Sequence, residues 1–264
     1  NVTPVNDKPA ATAFEITIDE SSTGKDEYVI DFENIDGIRE LLQIVRPVLQ
    51  QKNYKIIELP LVDKEIGAFI YRGDKISYLV INSSVPVVNA NFALCHELFH
   101  ILYTPFAYAS DLTRSCDRWL QSFIHQVCNI LEDCTIEDTG TDRYPFSEPY
   151  IEAVKECFKQ QEQIDSLTDA ITSEPEHPST MLAYLLHYCR GCIDLSTLPE
   201  YKLFKEHEEF IKWGTHKCIY TIDGRLRTRR QIAFAIELTK ILNMQEPSKD
   251  NMENPDLSDI ESQA

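Results

Sequence analysis

Phe92-Ala93-Leu94-Cys95-His96-Glu97-Leu98-Phe99-His100-Ile101-Leu102 is the stretch on which the reading of this 264-residue chain turns. In an α-helix, residues four apart lie one turn above the other on one face. His96 and His100 can therefore present two imidazole nitrogens to a single zinc ion at about 2.0–2.1 Å. Glu97 stands beside them, where its carboxylate can take a proton from a water in the ion's remaining position. Phe92, Leu94, Phe99, Ile101 and Leu102 predict that the helix is buried on several sides. Two histidines and a glutamate in such a helix are costly unless something satisfies them, and a metal does.

A catalytic set needs a third protein ligand and leaves the fourth position to water. The next long helix ends Asn129-Ile130-Leu131-Glu132-Asp133-Cys134-Thr135-Ile136-Glu137-Asp138. Glu132 is the first candidate, on a face shared with His125, Cys128, Asn129 and Ile136. Asp133 is the alternative. His125 and Cys128 rank behind both, because each residue type is commonly packed in a core. Two histidines and a carboxylate suit zinc, and also manganese or iron.

Outward from the motif, the apolar pattern is that of an α+β chain. Residues 1–30 read as a polar arm or weak hairpin around Ser21-Ser22-Thr23-Gly24. Ile38, Leu41, Leu42, Val45 and Val48 follow helical spacing, with Pro47 expected to kink or end that helix. Runs at 54–61, 66–71 and 75–82 predict a small antiparallel sheet, with Arg72-Gly73-Asp74 as the turn between the last two. Helices are expected near 87–103, 113–137, 149–171, 178–191, 199–213 and 227–244. The division predicted is a metal-binding core over 31–138, a helical extension over 139–244 packed on it, and a disordered acidic tail over 245–264.

Acidic residues outnumber basic ones 43 to 25, a formal charge of −18. Such a surface repels phosphate, so binding to nucleic acid by the chain itself is not expected. The local cluster Arg225, Arg227, Arg229 and Arg230 reads as a solvated helix start. Eight cysteines in a chain this long, without a charged-then-apolar leader, read as reduced thiols of a cytoplasmic protein. No apolar run is long enough for a membrane span.

Cys189-Arg190-Gly191-Cys192, with His187 before it and His216 and Cys218 further on, could hold a second zinc, but one CxxC without a spaced partner reads as buried thiols. Donors to a developing oxyanion could come from Tyr103, Tyr108, Tyr144, Tyr150, His125 or the arginines at 225–230. Nothing in the sequence selects among them.

Lys75-Ile76-Ser77-Tyr78-Leu79-Val80-Ile81-Asn82-Ser83 followed by Phe92 to Leu102 resembles the ImmA/IrrE metallopeptidase family. The resemblance covers roughly residues 35–137. It implies a zincin-like fold, a gluzincin-type site with His96, His100 and Glu132 as ligands, Glu97 as base, and helix-turn-helix repressors as substrates in a mobile-element or stress setting. The family usually carries Gly where this chain has Phe99. Tyr103-Thr104 and the segment from Asn129 to Glu137 are similar to predicted metallopeptidases associated with von Willebrand A domains. The expectation from residues and resemblance together is a zinc-dependent peptidase acting on a protein or peptide. The alternative is a non-catalytic, metal-stabilised regulatory or interaction module.

Overall fold

The computed structural model describes residues 36–51, 53–59, 68–72, 76–82, 87–190 and 198–246. The expected arm over 1–30, the turn at 73–74, Cys192 and almost all of the expected tail lie outside them. The described residues from 36 to 244 belong to one compact unit.

Helix α1 (Asp36–Gln51) buries Leu41, Val45 and Leu49 along one stripe. It runs through Pro47 instead of ending there, because this stripe anchors the helix on both sides of the proline. Strands β1 (Tyr54–Leu59), β2 (Ala68–Arg72) and β3 (Ser77–Asn82) form one sheet in the order β1-β3-β2. The β2–β3 pair is antiparallel, with Arg72 opposite Ser77. The expected all-antiparallel sheet is corrected at β1, which pairs parallel to β3 with Tyr54 opposite Ser77. Residues Tyr78 to Asn82 of β3 are buried without alternation, as befits a central strand covered on both faces. That strand takes a partner on each edge, and β2 already occupies one.

Helix α2 (Val87–Tyr103) carries the histidine motif and packs against α1, the sheet and the longest helix among the described residues. The helical stretch expected over 113–137 is two elements. Helix α3 (Phe106–Arg114) ends at Ser115, and Asp117 is extended before a short 3-10 turn leads into α4 (Gln121–Arg143). The stretch expected over 149–171 likewise divides into α5 (Glu148–Phe158) and α6 (Gln161–Ser173), where Gln160 leaves helical geometry. Helices α7 (Pro178–Cys189), α8 (Lys202–Glu206), α9 (Glu208–Ile219) and α10 (Gly224–Ile241) complete the body. The protein is thus α+β, mostly helical with a small mixed sheet. No helix among the described residues is long and apolar enough to cross a membrane.

Helix α4 is the axis. All seven residues from Leu131 to Glu137 are buried, so α4 is covered on every side at that level. Its apolar residues Phe123, Ile124, Val127 and Leu131 share a core with Met181 and Leu185 of α7, Ile211 of α9 and Ile232 and Leu238 of α10. Because α4 contacts both α2 and the C-terminal helices, residues on the two sides of position 138 belong to one packed body.

The close approach of α2 to α4 depends on Gly140. A Cβ at that position would lie 2.3 Å from the Phe99 ring. Phe99, fully buried, stacks on Tyr144, the residue that follows the C-terminal end of α4. A large residue on α2 thus fits over a glycine on α4. A Gly→Ala change inside a helix ordinarily stabilises by about 1 kcal/mol. Here overpacking, which costs about 1–3 kcal/mol, should reverse the sign. Gly140→Ala is expected to lower the urea midpoint of unfolding. A midpoint at or above that of the parent would show that Phe99 has room to move.

Candidate metal centre

His96 and His100 lie one turn apart on α2, and Asp133 and Glu137 one turn apart on α4. The two pairs meet in opposite order: His100 faces Asp133 and His96 faces Glu137, so the helices run antiparallel here. His96 Nε2 and His100 Nε2 are 3.1 Å apart. Asp133 Oδ1 lies 3.1 Å from His100 Nε2 and 3.7 Å from His96 Nε2. Zinc bonds of about 2.0–2.1 Å in a tetrahedron give ligand atoms about 3.3 Å apart, the scale of all three separations. Among the described residues, His96, His100 and Asp133 form the only group of three ligand atoms placed to hold a metal.

The surroundings set the proton positions on His96. Its Nδ1 is 3.1 Å from Glu137 Oε1, a carboxylate oxygen that also accepts from Arg190 Nη1 at 3.0 Å. A carboxylate has no hydrogen to give, so His96 Nδ1 donates, and in the neutral ring Nε2 keeps its lone pair. That lone pair points at His100 Nε2 and at Asp133, another acceptor. A hydrogen on His100 Nε2 or a cation between the three atoms relieves the repulsion.

The acid–base behaviour of the site has the same meaning. Burial alone would lower the pKa of His96, but its bond to Glu137 and the charges of Asp133, Glu137 and Glu97 outweigh burial and raise it. Burial alone would raise Asp133, but the His100 bond and the positive groups His96, His100 and Arg190 hold it below the usual carboxylate range. Both shifts favour positive charge at the point the three ligand atoms surround. Glu97 is pushed above its usual range by burial, with His96 and His100 pulling the other way.

The structure separates the two candidates for third ligand. Asp133 joins the histidines, whereas Glu132 does not. Successive helix residues are turned by about 100°, so Glu132 and Asp133 point to different partners. The face on which Glu132 sits with His125, Cys128 and Asn129 does exist, but it lines a cleft of about 490 Å³ between α3, α4 and α10. There Glu132 accepts from Arg227 Nε at 2.8 Å and Nη2 at 2.7 Å, and from Gln231 at 2.9 Å. Of the three ligand residues, only His100 reaches the cleft.

Two arginines hold the carboxylates of α4, a role that neither was expected to play. Arg190 lies inside the CxxC stretch and pairs with Glu137 at 3.0 Å and Asp133 at 3.5 Å. Arg227, expected in solvent with its neighbours, is buried, while Arg225, Arg229 and Arg230 are exposed. The signal that could have found them is charge. Three carboxylates at adjacent turns of a buried helix require cations from elsewhere in the chain. The two arginines answer two of those carboxylates. One is left over and Glu97 adds another, an excess that matches a divalent ion.

The remaining candidates are placed elsewhere. Arg225 and Arg229 lie over the Tyr108 ring, and Arg229 Nε also donates to its hydroxyl. Tyr144 stacks on Phe99, Arg143 lies over Tyr103, and His125 is exposed at the cleft. Cys128, Cys189 and Cys218 are free thiols whose pKa values burial pushes up, and His187 Nδ1 bonds the Ala183 carbonyl. No family model, no curated protein and no solved structure matches the chain.

Removing one partner of a buried ion pair strands the other charge, typically at a cost of about 3–5 kcal/mol. Arg190→Met leaves Glu137, whose side chain is 1% exposed, without its guanidinium. The variant is expected to unfold at distinctly lower denaturant than the parent. An unchanged midpoint would mean that Glu137 is neutral or solvated.

Proposed function

We propose that this chain is a zinc-dependent peptidase that hydrolyses a protein or peptide, with His96, His100 and Asp133 as metal ligands and Glu97 as general base. The observation that carries the reading is the meeting of His96 Nε2, His100 Nε2 and Asp133 Oδ1 within 3.1–3.7 Å of one another, on a site that favours positive charge. Zinc bound there would acidify a water and polarise the scissile carbonyl. Glu97 would take the proton from that water and return it to the leaving amine, a role that a carboxyl raised by burial suits. Glu137 orients His96 through Nδ1, and Arg190 holds Glu137 and Asp133 in place.

The zincin-like arrangement belongs to the same proposal, with α1, the small sheet and α2 in the order that the resemblance to the ImmA/IrrE family implies. The ligand set departs from the gluzincin pattern, since the carboxylate is an aspartate one position further along α4. That resemblance favours a regulatory protein as substrate, and the free thiols favour a cytoplasmic setting. A non-catalytic metal module is the second reading. It is favoured by the burial of the ligands, whose side chains are only 9–14% exposed.

Metal analysis and peptide cleavage together test both readings. Parent protein should carry a single zinc, lost in His100→Ala and in Asp133→Asn. Glu97→Gln should retain zinc and cleave a peptide library at least about 100-fold more slowly. Equal cleavage by Glu97→Gln and parent contradicts the mechanism. Zinc bound by a parent that cleaves nothing in the library supports the structural module instead.

A further inference from the structure

Thr104 lies one turn beyond His100 on the same face and is buried with it. Its Oγ1 is 2.9 Å from His100 Nδ1 and 2.8 Å from Glu132 Oε1. Glu132 accepts from both nitrogens of the Arg227 fork and from Gln231, so it is a carboxylate with only acceptor sites to offer. A hydroxyl has one hydrogen. Thr104 gives it to Glu132, which leaves Oγ1 as the acceptor for His100 Nδ1. Arg227 is itself fixed by the carbonyls of Tyr103 and Thr221, at 3.0 and 3.2 Å.

We infer that Glu132 is a positioning residue that holds a hydrogen on Nδ1 of His100 through Thr104, and that α10 controls it through Arg227 and Gln231. Nδ1–H donates to Thr104, and Nε2 is turned toward His96 and Asp133. The inference rests on reading the centre as a metal site only for its consequence, metal affinity; the Nδ1–H stands independently, whether Nε2 meets a metal or shares a hydrogen with Asp133. It makes the C-terminal helical body part of the centre. His96 is oriented by a carboxylate from α4 and an arginine from the end of α7, and His100 by a hydroxyl, a carboxylate of α4 and an arginine of α10. Each ligand histidine thus has its own relay ending in a guanidinium from the far half of the chain.

The test uses the full chain with Thr104→Val and Thr104→Ser. Valine keeps the shape and removes the hydroxyl; serine restores it. Long-range nitrogen–proton NMR on metal-free protein reads the tautomer of His100, assigned by its absence in His100→Gln. Parent and Thr104→Ser should show a hydrogen on Nδ1, whether or not Nε2 also carries one, and Thr104→Val should lose it. Cobalt titration should give affinity about 10- to 100-fold weaker for Thr104→Val and near parental for Thr104→Ser. An Nδ1–H tautomer that persists in Thr104→Val, or equal loss in both variants, overturns the relay. A parent that binds no cobalt defeats the metal reading, while the NMR result still decides the relay.

Discussion

The antiparallel meeting of α2 and α4 is the constraint on which the remaining structure depends. Two i, i+4 pairs, His96 with His100 and Asp133 with Glu137, must come to the same level across the helix interface. That requires close approach, which Gly140 allows by receiving the Phe99 ring. It also requires α4 to carry acids through a stretch buried on every side. Buried carboxylates are tolerable only when paired, so the rest of the fold has to deliver cations to α4. Arg190 does this from the end of α7 and Arg227 from α10.

This accounts for a feature that is odd if the chain is divided at position 138. The half that contains the motif is not electrostatically complete. Its acids are answered by residues about 50 and 95 positions further along the sequence. The helical half is therefore more than a scaffold laid against a finished site. It shares the apolar core around α4 and supplies the charges that let the histidines and acids stay buried together.

What could be read from sequence was what a single helix determines. The four-residue spacing fixed that His96 and His100 share a face, and the same arithmetic correctly grouped Glu132 with His125, Cys128 and Asn129. Which face of α4 meets α2 is a tertiary matter, and one step of about 100° separates Glu132 from Asp133. The direction of β1 was hidden for a similar reason, since the pairing of a central strand depends on the connection between elements. Arg227 was hidden by its neighbours: in a basic helix start, the one buried arginine looks like the exposed ones. The breaks near 115–117 and at 160 carry no proline or glycine, so the helical pattern appeared continuous across them.

The central claim is that α2 and α4 together hold a metal ion between His96, His100 and Asp133. Anomalous diffraction from a zinc-loaded crystal at the zinc absorption edge tests this most directly. The account predicts one strong peak about 2.0–2.2 Å from His96 Nε2, His100 Nε2 and an Asp133 carboxylate oxygen, with Glu132 still on Arg227. A peak bound by Glu132 in place of Asp133, or no peak at this centre at saturating zinc, would contradict it.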